Sequence, residues 1–369
     1  MKILLLITKT EIGGAQSFVA NLAKGLKDGG EEVIVASGQG TGWLVDFAQN
    51  NNINFKLISG LERSSNPFKF IQFLFNLYKL IIAYKPDIVH FNSSNTLLGA
   101  ISAKLANKCL KTIFTLHGLS VLDNNCKINK LKKLVYKAYF KFCFKFIDNL
   151  VFVSQKNLDL AISQKLVKKA DLIYNGIKSN FLDRETARKE IFSKLDILDD
   201  NIFLIGSIGR LDYPKNYEFL LSNFDKIQEI KPNSKLIIIG EGPERPKYEQ
   251  IIKEKSLENF VFLLGSIPDA SRYLRAFDLF ILPSIYEGLS ISLIEARNAC
   301  IQIIASDVGG NSEVMGQENC YKLDDLADFI NIFKEKISAE QKNCTEEEFK
   351  ENRFDLDKMI SSYEYIYRD

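Results

Sequence analysis

The chain has 369 residues, 46% hydrophobic and 25% charged, a composition that excludes whole-chain disorder and suits two globular domains. Its net charge of +2 conceals a split: residues 1–195 carry 28 Lys+Arg against 14 Asp+Glu, and the remainder is acidic. The basic half is expected to face something anionic.

Short apolar runs alternate with longer amphipathic ones, the pattern of β-α-β units around parallel sheets. In the first half strands are predicted at 3–7, 32–36, 54–58, 88–91, 111–116 and 149–153, with helices between them such as 16–27 and 67–84. The opening run 3–7 is too short for the core of a signal peptide and reads as a buried strand. No segment reaches the ~20 apolar residues of a spanning helix; the run 68–84 is broken by Lys69, Gln72, Asn76 and Lys79. Around 180–200 the chain turns polar (Asp183, Arg184, Glu185, Arg188, then Asp196, Asp199 and Asp200), which predicts a domain junction. The pattern restarts with strands at 202–208, 235–239, 260–264, 279–282 and 302–305, and a last helix at 355–367.

The six cysteines, Cys109, Cys126, Cys143, Cys300, Cys320 and Cys344, form no C-x-x-C pair. Reduced thiols and a cytoplasmic setting are expected. Two histidines are too few for a histidine-rich metal centre.

Ligands of doubly wound sheets bind beyond the carboxyl ends of the strands, so the residues there carry the functional reading. The strongest signal is Glu287-Gly288-Leu289-Ser290 followed by Glu295, between the strand 279–282 and a helix. Glycine at 288 admits a ligand close to the backbone, helix amides attract phosphate, and each glutamate can accept hydrogen bonds from a vicinal diol. A capping carboxylate plus a solvated helix residue would give the same two letters. After the strand 202–208 come Gly209, Arg210 and Lys215: fixed cations at a strand end suit a diphosphate, the Arg as a planar fork and the Lys as a point charge. Gly13-Gly14 after the first strand permits close approach of phosphate, although the G-x-G-x-x-G dinucleotide pattern is absent. His117 ends the strand 111–116, His90 reads as structural, and Asn175-Gly176 reads as a turn.

Residues 127–147 hold Lys127, Lys130 and Lys132 with a four-residue repeat, Lys133, Lys137, Lys141 and Lys145, interleaved with aromatics. This suits the surface of an anionic membrane, or an ordinary packed helix with a lysine-rich wet face. No nucleic-acid motif accompanies the charge.

Together these stretches resemble the retaining GT-B glycosyltransferases of family 4. The resemblance rests on EIGGAQ at 11–16, TLHG at 115–118, VFVS at 151–154, YNGI at 174–177, GSIGRLDYPKN at 206–216, GEGPE at 240–244, LPSIYEGLSISLIEA at 282–296 and ASDVGG at 305–310. It implies two Rossmann-like domains flanking a cleft: 1–190 for the acceptor, 191–350 for the nucleotide-sugar donor, and a C-terminal helix, 351–369, crossing back to the first. Carried over by position, Arg210 and Lys215 would bind the donor diphosphate, Glu295 the ribose, Glu287 the transferred sugar, with Gly209, Gly288, Leu289 and Ser290 beside them. His117 would reach the sugar or the developing charge, Gly13 and Gly14 the phosphate, and Asn175 and Glu313 are further candidates. The resemblance implies no metal and no cofactor beyond the nucleotide-sugar donor, a UDP-sugar ahead of a GDP-sugar. The basic charge of the acceptor-side half points to a lipid-linked or otherwise anionic glycan acceptor, as in surface polysaccharide assembly, and the Lys-, Asn-, Ile- and Phe-rich composition to a bacterium, with the enzyme expected in the cytoplasm or peripheral on the inner membrane face. Cys300 and Gln302 stand where the family commonly has Gly and Pro, and Tyr174 where it has Pro. A nucleotide-sugar epimerase or hydrolase on the same fold and a non-catalytic sugar-binding protein are the competing readings.

Overall fold

The structure, a computed structural model, describes residues 1–64, 66–123, 125–126, 128–178, 180–195, 201–339 and 353–369. Lys127, Asp196, Asp199, Asp200 and Cys344 of the positions named above lie outside them. By contact the chain divides into two compact units, Met1–Gly176 with Arg353–Asp369, and Ile177–Asn352.

The first unit is built on seven strands: β1 (Lys2–Ile7), β2 (Glu32–Ser37), β3 (Asn54–Leu57), β4 (Ile88–Phe91), β5 (Lys111–Leu116), β6 (Asn149–Phe152) and β7 (Asp171–Leu172). They lie in the order β3-β2-β1-β4-β5-β6-β7, all parallel. Five consecutive buried residues in β1 reflect helices covering both faces of the sheet. One layer holds the helices Pro67–Tyr84, Gly99–Ala106, Lys130–Cys143 and Gln155–Ser163, which contribute Phe73, Leu77, Ala103, Phe140 and Leu158 to a single core. The other layer holds Gly14–Asp28, Trp43–Asn50 and the terminal helix Leu356–Arg368, whose Met359, Tyr363 and Tyr367 join Phe18 and Leu22.

The second unit carries β8 (Phe203–Ile208), β9 (Ser234–Ile239), β10 (Val261–Leu263), β11 (Leu279–Leu282), β12 (Gln302–Ser306) and β13 (Cys320–Tyr321). Their order, β10-β9-β8-β11-β12-β13, repeats the logic of the first sheet, again parallel throughout. The order reverses between β1 and β4 in one unit and between β8 and β11 in the other, so each sheet has a switch point where neighbouring loops diverge.

The polar run after Asp183 is a helix, Arg184–Leu195, belonging to the second unit. Arg184 and Arg188 both pair with Asp278 at the foot of β11, so charge that reads as linker is an anchor. The chain passes from one unit to the other at Gly176–Ile177, ahead of that run. The lysine-rich helix ends at Cys143, and Lys145 sits in the following 3₁₀ turn Phe144–Phe146. Cys109, Cys126, Cys143 and Cys320 are free thiols.

Candidate active site

At the switch point of the second sheet, the loop after β8 carries Arg210 and Lys215 and the loop after β11 carries Glu287. Lys215 Nζ donates to Glu287 Oε1 at 2.6 Å, and Ser284 Oγ donates to the same oxygen at 2.7 Å. The lysine and glutamate side chains are only 19% and 14% exposed, so little water screens the pair. Arg210, roughly half exposed, pairs with Asp212. Burial pushes the Asp212 carboxyl up, against the pull of Arg210 and Lys215. Asp212, one residue past the recognisable GRL stretch, is a member of this cluster that sequence reasoning missed.

Two loops brace the cluster. Backbone bonds join Gly209 N to Ile239 O, Leu211 N to Glu241 O and Glu244 N to Leu211 O, extending the β8–β9 pairing past the strand ends. A Cβ on Gly240 (φ +156°) would lie 1.9 Å from Gly209 O. The glycine of GEGPE thereby lets that loop press against the one holding Arg210. On the other side Gly310 N donates to Gly288 O at 2.8 Å. Gly309 (φ +50°) is so close that a Cβ would stand 2.1 Å from Glu287 O. The paired glycines of ASDVGG therefore shape the backbone under Glu287.

Ser290 is the N-cap of the helix Ile291–Asn298 and accepts from Leu293 N. Leu289 is buried. Glu295, half-buried in that helix, sits beside Ser271 and Asp269. Burial raises its carboxyl to about 7; the Ser271 hydrogen bond opposes the rise and the Asp269 charge adds to it. Ser271 and Asp269, with Lys178, Asn180, Leu182 and Arg272, line a pocket of about 420 Å³ within the second unit. Nothing in their spacing announces these residues; only the fold brings Lys178, Asn180 and Leu182 beside Asp269, Ser271 and Arg272, through Leu182 N to Arg272 O. Glu313 lies in the first turn of the short helix Asn311–Met315.

The remaining candidates belong to the first unit. Gly13 precedes the helix Gly14–Asp28, whose first turn has no side-chain cap and no acidic residue. That end leaves amide N–H groups and the positive end of the helix dipole at the carboxyl edge of β1. His117 follows β5, edge-on to Phe18 with ring centroids 4.7 Å apart. Its Nε2 lies 3.4 Å from Asn92 Oδ1, a long contact. Burial lowers the His117 pKa to about 3, so the ring is a neutral hydrogen-bonding group rather than a cation at ordinary pH. His90 is fully buried, with Nδ1 2.7 Å from Tyr367 Oη and Nε2 2.8 Å from Thr115 Oγ1. Asn175 is buried near the end of this unit. Lys133 is turned inward onto Asp123 O at 2.7 Å, unlike the exposed Lys141. Among the described residues no group of three or more His, Cys, Asp or Glu is placed to hold a metal ion.

Two doubly wound units of parallel sheet in one chain have the fold class of the GT-B glycosyltransferases. Residues 12–181 match the model of Glycosyltransferase Family 4, and residues 187–346 that of Glycosyl transferases group 1. The chain belongs to family 4 of the glycosyltransferases. It is 28% identical over 345 residues to the UDP-Gal:alpha-D-GlcNAc-diphosphoundecaprenol alpha-1,3-galactosyltransferase of Escherichia coli, covering 89% of this chain and 87% of that one. It is 26% identical to the capsular polysaccharide biosynthesis glycosyltransferase CapH of Staphylococcus aureus, over 85% and 83% of the two chains. Among solved structures, Anabaena HepE in complex with UDP and glucose superposes with a TM-score of 0.81 at 20% identity, covering 99% of each chain.

Proposed function

We propose that this glycosyltransferase moves a hexose or N-acetylhexosamine from a UDP-sugar to a lipid-linked or polysaccharide acceptor, with retention, in surface glycan assembly. The observation that carries it is the pairing of Lys215 with Glu287 at the switch point, beside Arg210. The second unit would hold the donor: Arg210 and Lys215 on the diphosphate, Glu287 on the transferred sugar, Glu295 on the ribose, and the pocket lined by Lys178, Leu182, Ser271 and Arg272 beside it. Gly209, Gly288, Leu289 and Ser290 would line the same donor site, with Glu313 nearby. The first unit would take the acceptor, with Gly13, Gly14, His117 and Asn175 as its candidate contacts. The galactosyltransferase relative, whose name gives a UDP-sugar donor and a diphosphoundecaprenol-linked acceptor, supports the donor and acceptor classes. The basic charge of the first half supports an anionic acceptor.

In the proposed reaction the bond between the sugar's C1 and the β-phosphate oxygen breaks, leaving negative charge on the diphosphate and positive charge on the sugar. Arg210 and Lys215 stabilise the former, typically by about 3–4 kcal/mol for a well-placed donor. The acceptor hydroxyl attacks C1 from the face the diphosphate leaves, and its proton passes to the departing phosphate oxygen. Lys215 must exchange part of its contact with Glu287 for the phosphate, which frees a carboxylate oxygen to accept from a sugar hydroxyl. A neutral His117 supplies a hydrogen bond, not a charge.

A panel of nucleoside diphosphates and nucleotide sugars, screened by thermal shift and then for transfer to a polyprenyl-diphosphate sugar, tests the proposal. UDP and one UDP-sugar should raise the melting temperature, and turnover should require the acceptor. Fast donor hydrolysis without acceptor would point to the hydrolase reading. Transfer at full rate by the Arg210→Ala, Lys215→Ala double variant would sink the site assignment.

A further inference from the structure

Sixteen large apolar or aromatic side chains are exposed among the described residues, and ten of them sit on two helices of one layer, Pro67–Tyr84 and Lys130–Cys143. On the first helix they are Phe68, Ile71, Phe75, Tyr78 and Ile82, spaced three and four apart. At about 100° per residue that spacing makes one stripe, centred roughly 140° around the helix from the buried stripe of Phe73, Leu77 and Ile81. The helix is apolar on both sides, and only one side is covered. Phe68 is 78% and Ile71 63% exposed. The second helix turns Leu131, Leu134, Val135 and Phe142 outward in the same way, opposite buried Phe140.

The charge around these faces is of one sign. Residues 63–147 carry fourteen Lys and Arg against two acidic residues, Asp87 and Asp123. Lysines flank both stripes: Lys79 Nζ lies 4.2 Å from the centre of the Phe75 ring, and Lys137 and Lys141 border the outward face of the second helix. No helix among the described residues is long and apolar enough to cross a membrane. Aromatic and aliphatic residues on one face, with lysines able to reach past them to phosphate headgroups, describe a helix lying in the plane of a bilayer surface. A folded protein partner would have to present a wide, flat, acidic face with apolar pockets for two separate helices; an anionic bilayer supplies both features without shape matching.

We infer that the helices Pro67–Tyr84 and Lys130–Cys143 form a docking surface for an anionic lipid bilayer, with Phe68, Ile71 and Phe75 entering the boundary between headgroups and acyl chains and Lys137 and Lys141 holding phosphates. This deepens the proposed lipid-linked acceptor reading, since it would carry the first unit to where such an acceptor lies. It shifts the membrane role from the four-lysine repeat, in which Lys133 is committed to Asp123, toward the aromatic stripe of the first helix.

The test is co-sedimentation of the full chain with vesicles of phosphatidylcholine alone and of phosphatidylcholine mixed with phosphatidylglycerol, with sedimentation velocity in the absence of lipid. The parent should bind the anionic vesicles strongly and the neutral ones weakly. Phe68→Ala, Ile71→Ala, Phe75→Ala, all at exposed positions, should weaken binding to anionic vesicles by about tenfold or more. Lys137→Glu, Lys141→Glu should abolish the preference for phosphatidylglycerol and the salt sensitivity. Unchanged binding by the triple variant overturns the inference. So does a lipid-free dimer that the same three substitutions dissociate, because the stripe would then be covered by a second copy. UDP-induced thermal stabilisation, measured alongside, separates this outcome from failure of the glycosyltransferase site: loss of vesicle binding should leave it intact.

Discussion

Lys215 Nζ lies 2.6 Å from Glu287 Oε1, joining two loops that leave adjacent strands in opposite directions. Neither residue is well solvated, and Ser284 supports the shared oxygen. The pair ties the loops together in the resting protein, and on the proposed reading it would also keep a cation and a carboxylate in reserve for a ligand that offers phosphate to one and hydroxyls to the other.

Removing one partner should be worse than removing both. Lys215→Ala leaves a half-buried carboxylate with a serine for company, at a cost of about 1–3 kcal/mol in stability. Lys215→Met with Glu287→Leu should recover much of that stability, while transfer falls by at least about a hundredfold in either case. Urea titration and acceptor-dependent turnover, measured together on the three proteins, separate the structural part from the catalytic one.

Gly309→Ala tests the brace beneath Glu287. A methyl there meets Glu287 O at 2.1 Å, and the left-handed backbone strains any residue with a Cβ. The expected result is a loss of transfer, by about tenfold or more, that exceeds what the change in melting temperature explains, because the carbonyl that must move carries the glutamate with it. Equal and small losses in both would mean that the loop relaxes without shifting Glu287.

The central strands were legible because their signal is local and strong. The run at 3–7 and the alternation of β5 with amphipathic helices needed no tertiary information. The edge strands β7 and β13, two residues each, have no periodicity to read and exist only because a neighbouring strand offers free backbone groups. Likewise Arg184 and Arg188 look like linker until Asp278, about ninety residues on, is brought beneath them. At the site, Arg210, Lys215 and Glu287 stood out because each follows a strand; Asp212, Ser284, Ser271 and Asp269 did not, since their role depends on which loop folds against which.

The terminal helix is fastened to the first unit through His90, and this fastening should make the protein acid-sensitive. Tyr367 Oη and Thr115 Oγ1 occupy the two ring nitrogens, and Tyr363 Oη bonds to the same threonine. Burial lowers the His90 pKa to about 3. The unfolded chain takes up a proton near pH 6.5 and the folded one does not, so stability is full above about 6.5 and declines as pH falls toward 3. The slope is up to about 1.4 kcal/mol per pH unit for each such histidine, and His117 adds a second. Tyr367→Phe, which strips His90 Nδ1 of its partner, should cost about 1–3 kcal/mol at neutral pH. Urea midpoints between pH 5 and 8 measure both effects.

Glu295 should give the opposite pH signature in stability and a matching one in donor binding. Its carboxyl is raised to about 7, chiefly by burial. The folded protein therefore holds that proton more tightly than the unfolded chain, and its contribution to stability, present below about pH 4.5, is lost as pH rises through 7. Glu295→Gln should thus melt higher than the parent at pH 8 and no differently at pH 4. A ribose diol donates hydrogen bonds, and the anionic carboxylate accepts them best. Donor affinity in the parent should rise as pH passes 7, and the glutamine variant should bind more weakly with that rise removed. Calorimetric titration with UDP at pH 6 and 8, in buffers of different ionisation enthalpy, also reads the proton: the parent should release one on binding at the lower pH. Identical affinity and proton release in parent and variant would place the ribose elsewhere in the second unit.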